Sequence, residues 1–235
     1  MSQPITADVA DLPASATRSL PRRLYDTFVN PSRMGRAVAD NPKWIGALLV
    51  VLALIALSSA LLPAEMFVEV QRRAALARGV TPPTMTEDTL RIIRIFSIVG
   101  GPFAVGIITF VFAGLYTFVF GFVLGDEGRY RQYLALTAHA AFIPALLSLL
   151  LVPLRIQTGD PQFSLNLASF LFFLEPGYVL NVFRMMDLTQ LWATVVTALG
   201  AHQIDRRRGF GSALVILLCF MLVVALVVGR FLPAT

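Results

Sequence analysis

Few side chains in this sequence have the type and position to do chemistry. His139 sits in the middle third of an apolar stretch, where an ionisable group is costly to place and so points to a proton relay or a ligand contact. The simpler role is a neutral ring bonded to a carbonyl or hydroxyl. Arg184 and Asp187 stand three positions apart and can pair on one helical face. Asp187 also precedes an apolar run whose helix N-terminus would favour an anion. His139, Arg184 and Asp187 are therefore the candidate intramembrane polar site. Arg22, Arg23 and the triplet Arg206-Arg207-Arg208 border apolar runs, which makes them candidate contacts for anionic lipid headgroups. His202 falls beside that triplet, 63 positions from His139, and is expected at the membrane interface; no carboxylate cluster joins the two histidines. A phosphate loop, a dinucleotide fingerprint, a zinc-protease helix and a Gly-x-Ser-x-Gly elbow are all missing. Cys219 is the sole cysteine, which excludes an intramolecular disulfide and a cysteine metal site. The expectation is a non-enzyme with no catalytic residue, cofactor or metal.

The elements that position these groups are read from the apolar runs. The chain has 235 residues, 57% hydrophobic and 14% charged, against about 25% charged in soluble domains. One small core could not hide so much apolar surface, whereas a bilayer can. Division at the charged residues leaves runs near the roughly 20 residues that a crossing needs. The expected spans are 44–62, 98–125, 132–154, 187–204 and 209–229. The uncharged run Ile95 to Gly125 has 31 residues, more than one crossing requires, so Gly100-Gly101-Pro102 is expected to kink it or to start the span. Gly121 and Gly125 form a small-xxx-small pair at its end. Pro161 to Leu174 is too short to cross and meets the breaker Glu175-Pro176-Gly177. An interfacial or re-entrant segment is expected there, with a sixth span from Ser164 to Phe183 as the rival. The fold class is all-α: a polytopic transmembrane helical bundle of five spans over 44–235, preceded by an N-terminal region, 1–43.

Charge orients the bundle. Segments 1–43, 126–131 and 205–208 hold eleven of the nineteen basic residues, which places the N-terminus in the cytoplasm and the C-terminus outside. The net charge of +5 sits beside apolar runs without a reading motif, so lipid rather than nucleic acid is the expected partner. Residues 1–43 carry no apolar run, and the first span is expected to act as an uncleaved anchor. Leu20, Leu24 and Phe28 recur every four positions, as in a short amphipathic helix lying in the headgroup plane. Asn30-Pro31 and Asn41-Pro42 bracket a second. In the first outer loop, 63–94, Phe67, Val70, Ala74 and Ala77 make an apolar stripe and Glu69 can pair with Arg73. Thr81-Pro82-Pro83 ends that helix, and Thr84 with Glu87 fits a capping box for the next. A helical hairpin against the outer membrane face is expected.

Three stretches together carry a family resemblance. The first runs from Arg23-Leu24 through Asn30-Pro31 to Asn41-Pro42 and Trp44. The second is Leu124-Gly125-Asp126-Glu127-Gly128, followed by Phe142-Ile143-Pro144. The third is Met186-Asp187-Leu188-Thr189-Gln190-Leu191-Trp192 running to Gly200, then a basic turn and a last apolar run. In this order the chain resembles the Yip family of multi-span membrane proteins (Ypt/Rab-interacting proteins), specifically its bacterial branch. The resemblance implies five spans and a cytoplasmic N-terminus, in a bacterial inner membrane. Eukaryotic members act in vesicle trafficking and contact small GTPases; the short N-terminal region argues against a GTPase partner here, and fold alone does not transfer a role. The expected function is a non-enzymatic membrane scaffold or adaptor in membrane organisation, trafficking or envelope lipid handling, with membrane lipids and other membrane or envelope proteins as partners. The alternative is a small transporter or lipid-moving channel using His139 and the Arg184/Asp187 pair. A polar cavity between the spans would favour transport and solid packing the scaffold. Oligomeric state is not legible.

Overall fold

A computed structural model describes residues 18–77, 79–81 and 86–232. In chain order the helices are α1 (Leu20–Val29), α2 (Pro31–Asp40), α3 (Ile45–Leu61), α4 (Ala64–Ala77), α5 (Glu87–Tyr116), α6 (Tyr130–Ala140), α7 (Phe142–Leu150), α8 (Val152–Thr158), α9 (Tyr178–Met185), α10 (Leu188–Ile204) and α11 (Phe210–Gly229). A π-helical stretch, Thr117–Val123, extends α5, and a 3₁₀ turn, Leu167–Phe170, precedes α9. The described residues are thus all-α, with one isolated bridge between Asn166 and Asp187.

Five helical legs run between two ends: α3, α5, α6 with α7, α10, and α11. Three stretches are long and apolar enough to cross a membrane, namely Glu87–Val123, Tyr130–Leu150 and Phe210–Gly229. Ile45–Leu61 with Ala64–Leu76 counts as a fourth only as a pair bent by 83°. The 17-residue α10 owes its polar content to its place: more than half of it is buried, walled by α2, α6, α7 and α11. Thr194 and Thr197 there donate to the carbonyls of Gln190 and Ala193, each at 2.8 Å, so their hydroxyls need no outside partner. By contrast, α11 is apolar and buries only four of its twenty residues, as a helix facing lipid should.

Several boundaries differ from expectation, each for a local reason. Gly100-Gly101-Pro102 does not begin the second leg, since α5 runs unbroken from Glu87 through Pro102. Its N-cap is Thr86, which accepts from the Thr89 N–H at 3.3 Å; Thr84, Pro82 and Pro83 lie outside the described residues. Gly121 and Gly125 share no helical face: Gly121 lies in the π-helical stretch, and Gly125 takes φ +71° beyond it, a conformation that suits glycine. The third leg breaks at Ala141 and Leu151, where Pro144 and Pro153 deprive the carbonyls four residues back of their donors. No continuous helix covers Ser164 to Phe183, so the rival sixth span is not formed; a 3₁₀ turn and α9 split at Gly177 occupy the segment. In the first loop, Glu69 holds Arg73 at 2.8 Å and also Arg72 at 2.7 Å.

The amphipathic N-terminal helices are folded under the bundle. Met34 and Val38 of α2 are fully buried in one core with Leu136, Ile143, Ala193 and Val196. Leu24 of α1 packs with Ala47, Leu48 and Ala138. Gln132 donates to the Ala39 carbonyl at 2.8 Å, fixing α6 to the end of α2. Segments 18–43, 126–131 and 205–208 therefore gather at one end, called proximal here; α4, α8 and α9 lie at the distal end.

Close approach at the hub depends on glycine. A Cβ on Gly200 would stand 2.1 Å from Leu136 Cδ1, and one on Gly35 would stand 2.9 Å from the Gly200 Cα. Leu136 is fully buried and cannot step aside. Gly200→Ala is expected to cost about 1–3 kcal/mol by overpacking, read as a lower melting temperature in detergent. At Gly114 a Cβ would meet nothing nearer than 3.9 Å, so Gly114→Ala serves as the matched control and should not destabilise.

Candidate functional site

The three expected intramembrane groups are not brought together. His139 is fully buried, and its Nδ1 lies 2.7 Å from the Ala135 carbonyl oxygen of its own helix. That is the simple role a lone histidine takes. Arg184 donates to Asn181 Oδ1 at 3.3 Å. Asp187 caps α10, accepting from the Thr189 N–H at 2.7 Å and the Gln190 N–H at 3.3 Å. Among the described residues no hydrogen bond or ion pair joins any two of His139, Arg184 and Asp187.

The five candidate headgroup contacts divide. Arg22 and Arg206 are exposed at the proximal end. Arg23 is only 2% exposed and donates to the Asn41 carbonyl at 2.9 Å, so it joins α1 to the end of α2 and has no face for a headgroup. Its burial lowers its pKa. The apolar stripe that suggested a surface helix is what buries it. His202, expected at the interface, places Nδ1 2.6 Å from the Arg208 carbonyl oxygen.

Arg207 and Arg208 belong to a clamp. The Asp126 carboxylate accepts two bonds from Arg208, one of them at 2.7 Å, and both side chains are largely buried. Asp205 accepts from the Glu127 N–H at 3.0 Å and from Arg207 Nη2 at 2.9 Å, while Arg207 also reaches Glu127 at 3.1 Å. The loop after α5 is thereby stapled to the loop after α10. Arg208 further lies 5.8 Å over the Phe120 ring, and Phe120 stacks on Tyr133. Hydrogen bonds from Arg207 and from the Glu127 and Arg207 amides hold the Asp205 carboxyl well below its ordinary 3.8. Asp126 raises the pKa of Arg208. The signal for this clamp is legible in retrospect: acids stand in both short loops that carry the basic clusters.

A second feature is a cavity of about 490 Å³ between α3, α5, α7, α10 and α11, within the roughly 300–1,000 Å³ of small-molecule sites. Its walls are mostly apolar, including Ile55, Ile108, Phe112, Leu217 and Val224. Thr109 and Thr137 also line it, but each donates to the carbonyl four residues back at 2.8 Å. Charged groups lie at one end only, Arg155 and Asp187. His139 is not a wall residue. The legs α5 and α11 do not pack along their length; the edge-on pair Phe112–Phe220, centroids 5.9 Å apart, bridges the gap. Ile108 is 50% exposed, so the cavity reaches the surface on the α5 flank. Arg155 closes the distal end, donating to the Phe163 carbonyl and Ser148 Oγ, each at 3.0 Å. Read as a loop residue after a span ending at Leu154, Arg155 gave no sequence sign of this place.

A family model described as "Yip1 domain" matches residues 25–228. No curated protein and no solved structure matches the chain.

The clamp generates two expectations. Asp126→Asn and Arg208→Gln each leave a buried charged partner unpaired and should cost about 2–3 kcal/mol; the double variant should cost clearly less than their sum in a denaturant cycle, because the pair acts as a unit. The folded-state pKa of Asp205 is depressed, so its contribution is complete above the unfolded value and is lost as pH falls. The stability gap between the wild type and Asp205→Asn should therefore be full above about pH 5 and shrink progressively below about pH 4.

Proposed function

The chain belongs to the Yip family, and from that premise we propose that it is a non-enzymatic, five-span scaffold that organises membrane lipid by holding an acyl chain between its helices. The observation that carries this reading is the cavity between α5 and α11. Its middle is mostly apolar and the hydroxyls of Thr109, Thr137, Thr194 and Thr197 are spent on their own helices, so the polar groups of its wall do not form a continuous track for an ion or a hydrophilic solute. A lateral gap between two legs is the route by which a lipid tail, already in the hydrocarbon, would enter.

In this reading α3, α5, α6–α7, α10 and α11 each cross the bilayer. The short α10 is admitted as a crossing because protein, not lipid, surrounds most of it. The N-terminus lies in the cytoplasm of a bacterial inner membrane and the C-terminus outside. The gathering at the proximal end of the three segments that together hold eleven of the nineteen basic residues supports that orientation, since they would all remain on the untranslocated side. Membrane lipids are the primary partners, and the exposed Arg22, Arg36 and Arg206 face anionic headgroups or other envelope proteins.

Two measurements test the reading. In proteoliposomes containing a phospholipid with a diazirine in its acyl chain, photolysis is expected to label Thr109, Leu217 and Val224 more densely than the outward Val215 and Val223. Equal labelling of both sets would sink it. A reporter fused at Gly177 should be non-cytoplasmic; a cytoplasmic signal would refute five crossings.

A further inference from the structure

The distal end of the cavity carries two opposite charges with unused capacity. The Arg155 guanidinium is fixed by its Nε bond to the Phe163 carbonyl and its Nη1 bond to Ser148 Oγ. Its Nη2 has no protein acceptor among the described residues. Asp187 spends Oδ1 on the Thr189 and Gln190 amides and the Thr189 hydroxyl, and its Oδ2 has no protein donor among the described residues. Both residues line the same cavity. A guanidinium with free N–H groups recognises a phosphate; a carboxylate oxygen with free lone pairs accepts from an ammonium.

The surroundings of this end of the cavity suit headgroup depth. Ser164, also on the wall, begins a segment that carries Phe170, Phe172 and Phe173, which are 63%, 91% and 69% exposed. Exposed aromatic rings of this kind settle at the boundary between acyl chains and headgroups. The Asn166–Asp187 bridge, with the Leu167 N–H on the Met186 carbonyl at 3.0 Å and the Leu188 N–H on the Leu165 carbonyl at 2.8 Å, ties that segment to the start of α10. The rings and the two charges are thus held at one level.

We infer that the cavity binds a zwitterionic phospholipid with a primary amine in its headgroup, its phosphate on Arg155, its ammonium on Asp187 and one acyl chain between α5 and α11. This rests on the lipid-holding reading above and adds the headgroup class. A singly anionic headgroup would satisfy Arg155 but meet the Asp187 carboxylate unpaired. A quaternary amine would neutralise Asp187 without donating to it.

The test is native mass spectrometry of the full chain in detergent with equal amounts of phosphatidylethanolamine, phosphatidylcholine and phosphatidylglycerol of one acyl composition. One bound lipid is expected, with the ethanolamine form favoured at least about fivefold. Asp187→Asn keeps an oxygen for the cap and should bring the ethanolamine and choline forms to near parity while a lipid remains bound. Arg155→Gln should reduce all three at least tenfold, and Arg155→Lys should restore part of that loss. Val224→Phe narrows the acyl chamber without touching either charge and should lower occupancy by all three forms alike. If lipid is retained and Val224→Phe reduces it, yet no headgroup preference appears or Asp187→Asn leaves it unchanged, the headgroup assignment is overturned and the acyl chamber stands. If no lipid is retained, or if Val224→Phe changes nothing, both fail.

Discussion

At Gly200 the backbone of α10 lies between the buried Leu136 of α6 and Gly35 of α2, too close on both sides for a methyl group. This contact decides where α10 can sit, and the rest of the bundle is arranged around it. A helix so placed exposes little to lipid, which is why it can be short and carry threonine, glutamine and histidine. Its partner α2 must then lie under the bundle, because only there can Gly35 meet Gly200. Once α2 is seated, α1 is drawn in behind it, and Arg23 is carried into the interior with its guanidinium on the Asn41 carbonyl. The three stretches that carry the family resemblance meet through this hub: the first supplies α2, the third supplies α10, and the loop of the second is stapled to the turn that follows α10.

The clamp at the proximal end completes the same constraint. Loops of a few residues between long helices have little freedom, so a bidentate bond between Asp126 and Arg208 fixes the rotation of α11 relative to α5. Positive residues there are commonly read as topology markers or lipid contacts, and Arg206 and Arg22 remain available for that. Arg207 and Arg208 are instead matched by acids from the neighbouring loop. Sequence counting treats the triplet as one feature, whereas packing separates a largely buried Arg208 from Arg206 and Arg207, which both lie at the surface, Arg207 with Asp205 and Glu127 as its acids.

The helical class and the presence of several helices long and apolar enough to cross a membrane were legible in the sequence, since a helix against lipid is apolar all round and its run length is its signature. So were the two amphipathic N-terminal helices. What covered them was not: an apolar stripe of Leu20, Leu24 and Phe28 is equally suited to a membrane surface and to a protein groove. Periodicity also does not say which helices are neighbours. His139, Arg184 and Asp187 each looked costly in the same medium, but only Asp187 reaches the cavity, and its counterpart there is Arg155, not Arg184. Pro102 starts no span for a different reason. A proline in a long helix removes one hydrogen bond, and the legs packed beside α5 are enough to keep it continuous.

The legs are also unequal in length. From Ile95 to Val123 the chain is helical without a charge, 29 residues that span about 44 Å, while α10 has 17 residues and spans about 26 Å. The hydrocarbon core is roughly 30 Å thick. The long leg stands on the lipid-facing flank and the short one in the protein-lined centre, so the bilayer meets the mismatch on the α5 side alone. There the leg must tilt or the surrounding lipid must stretch, at a modest elastic cost for each ångström. Mismatch is thereby confined to one flank, where tilt of α5 or local thickening of the lipid takes it up.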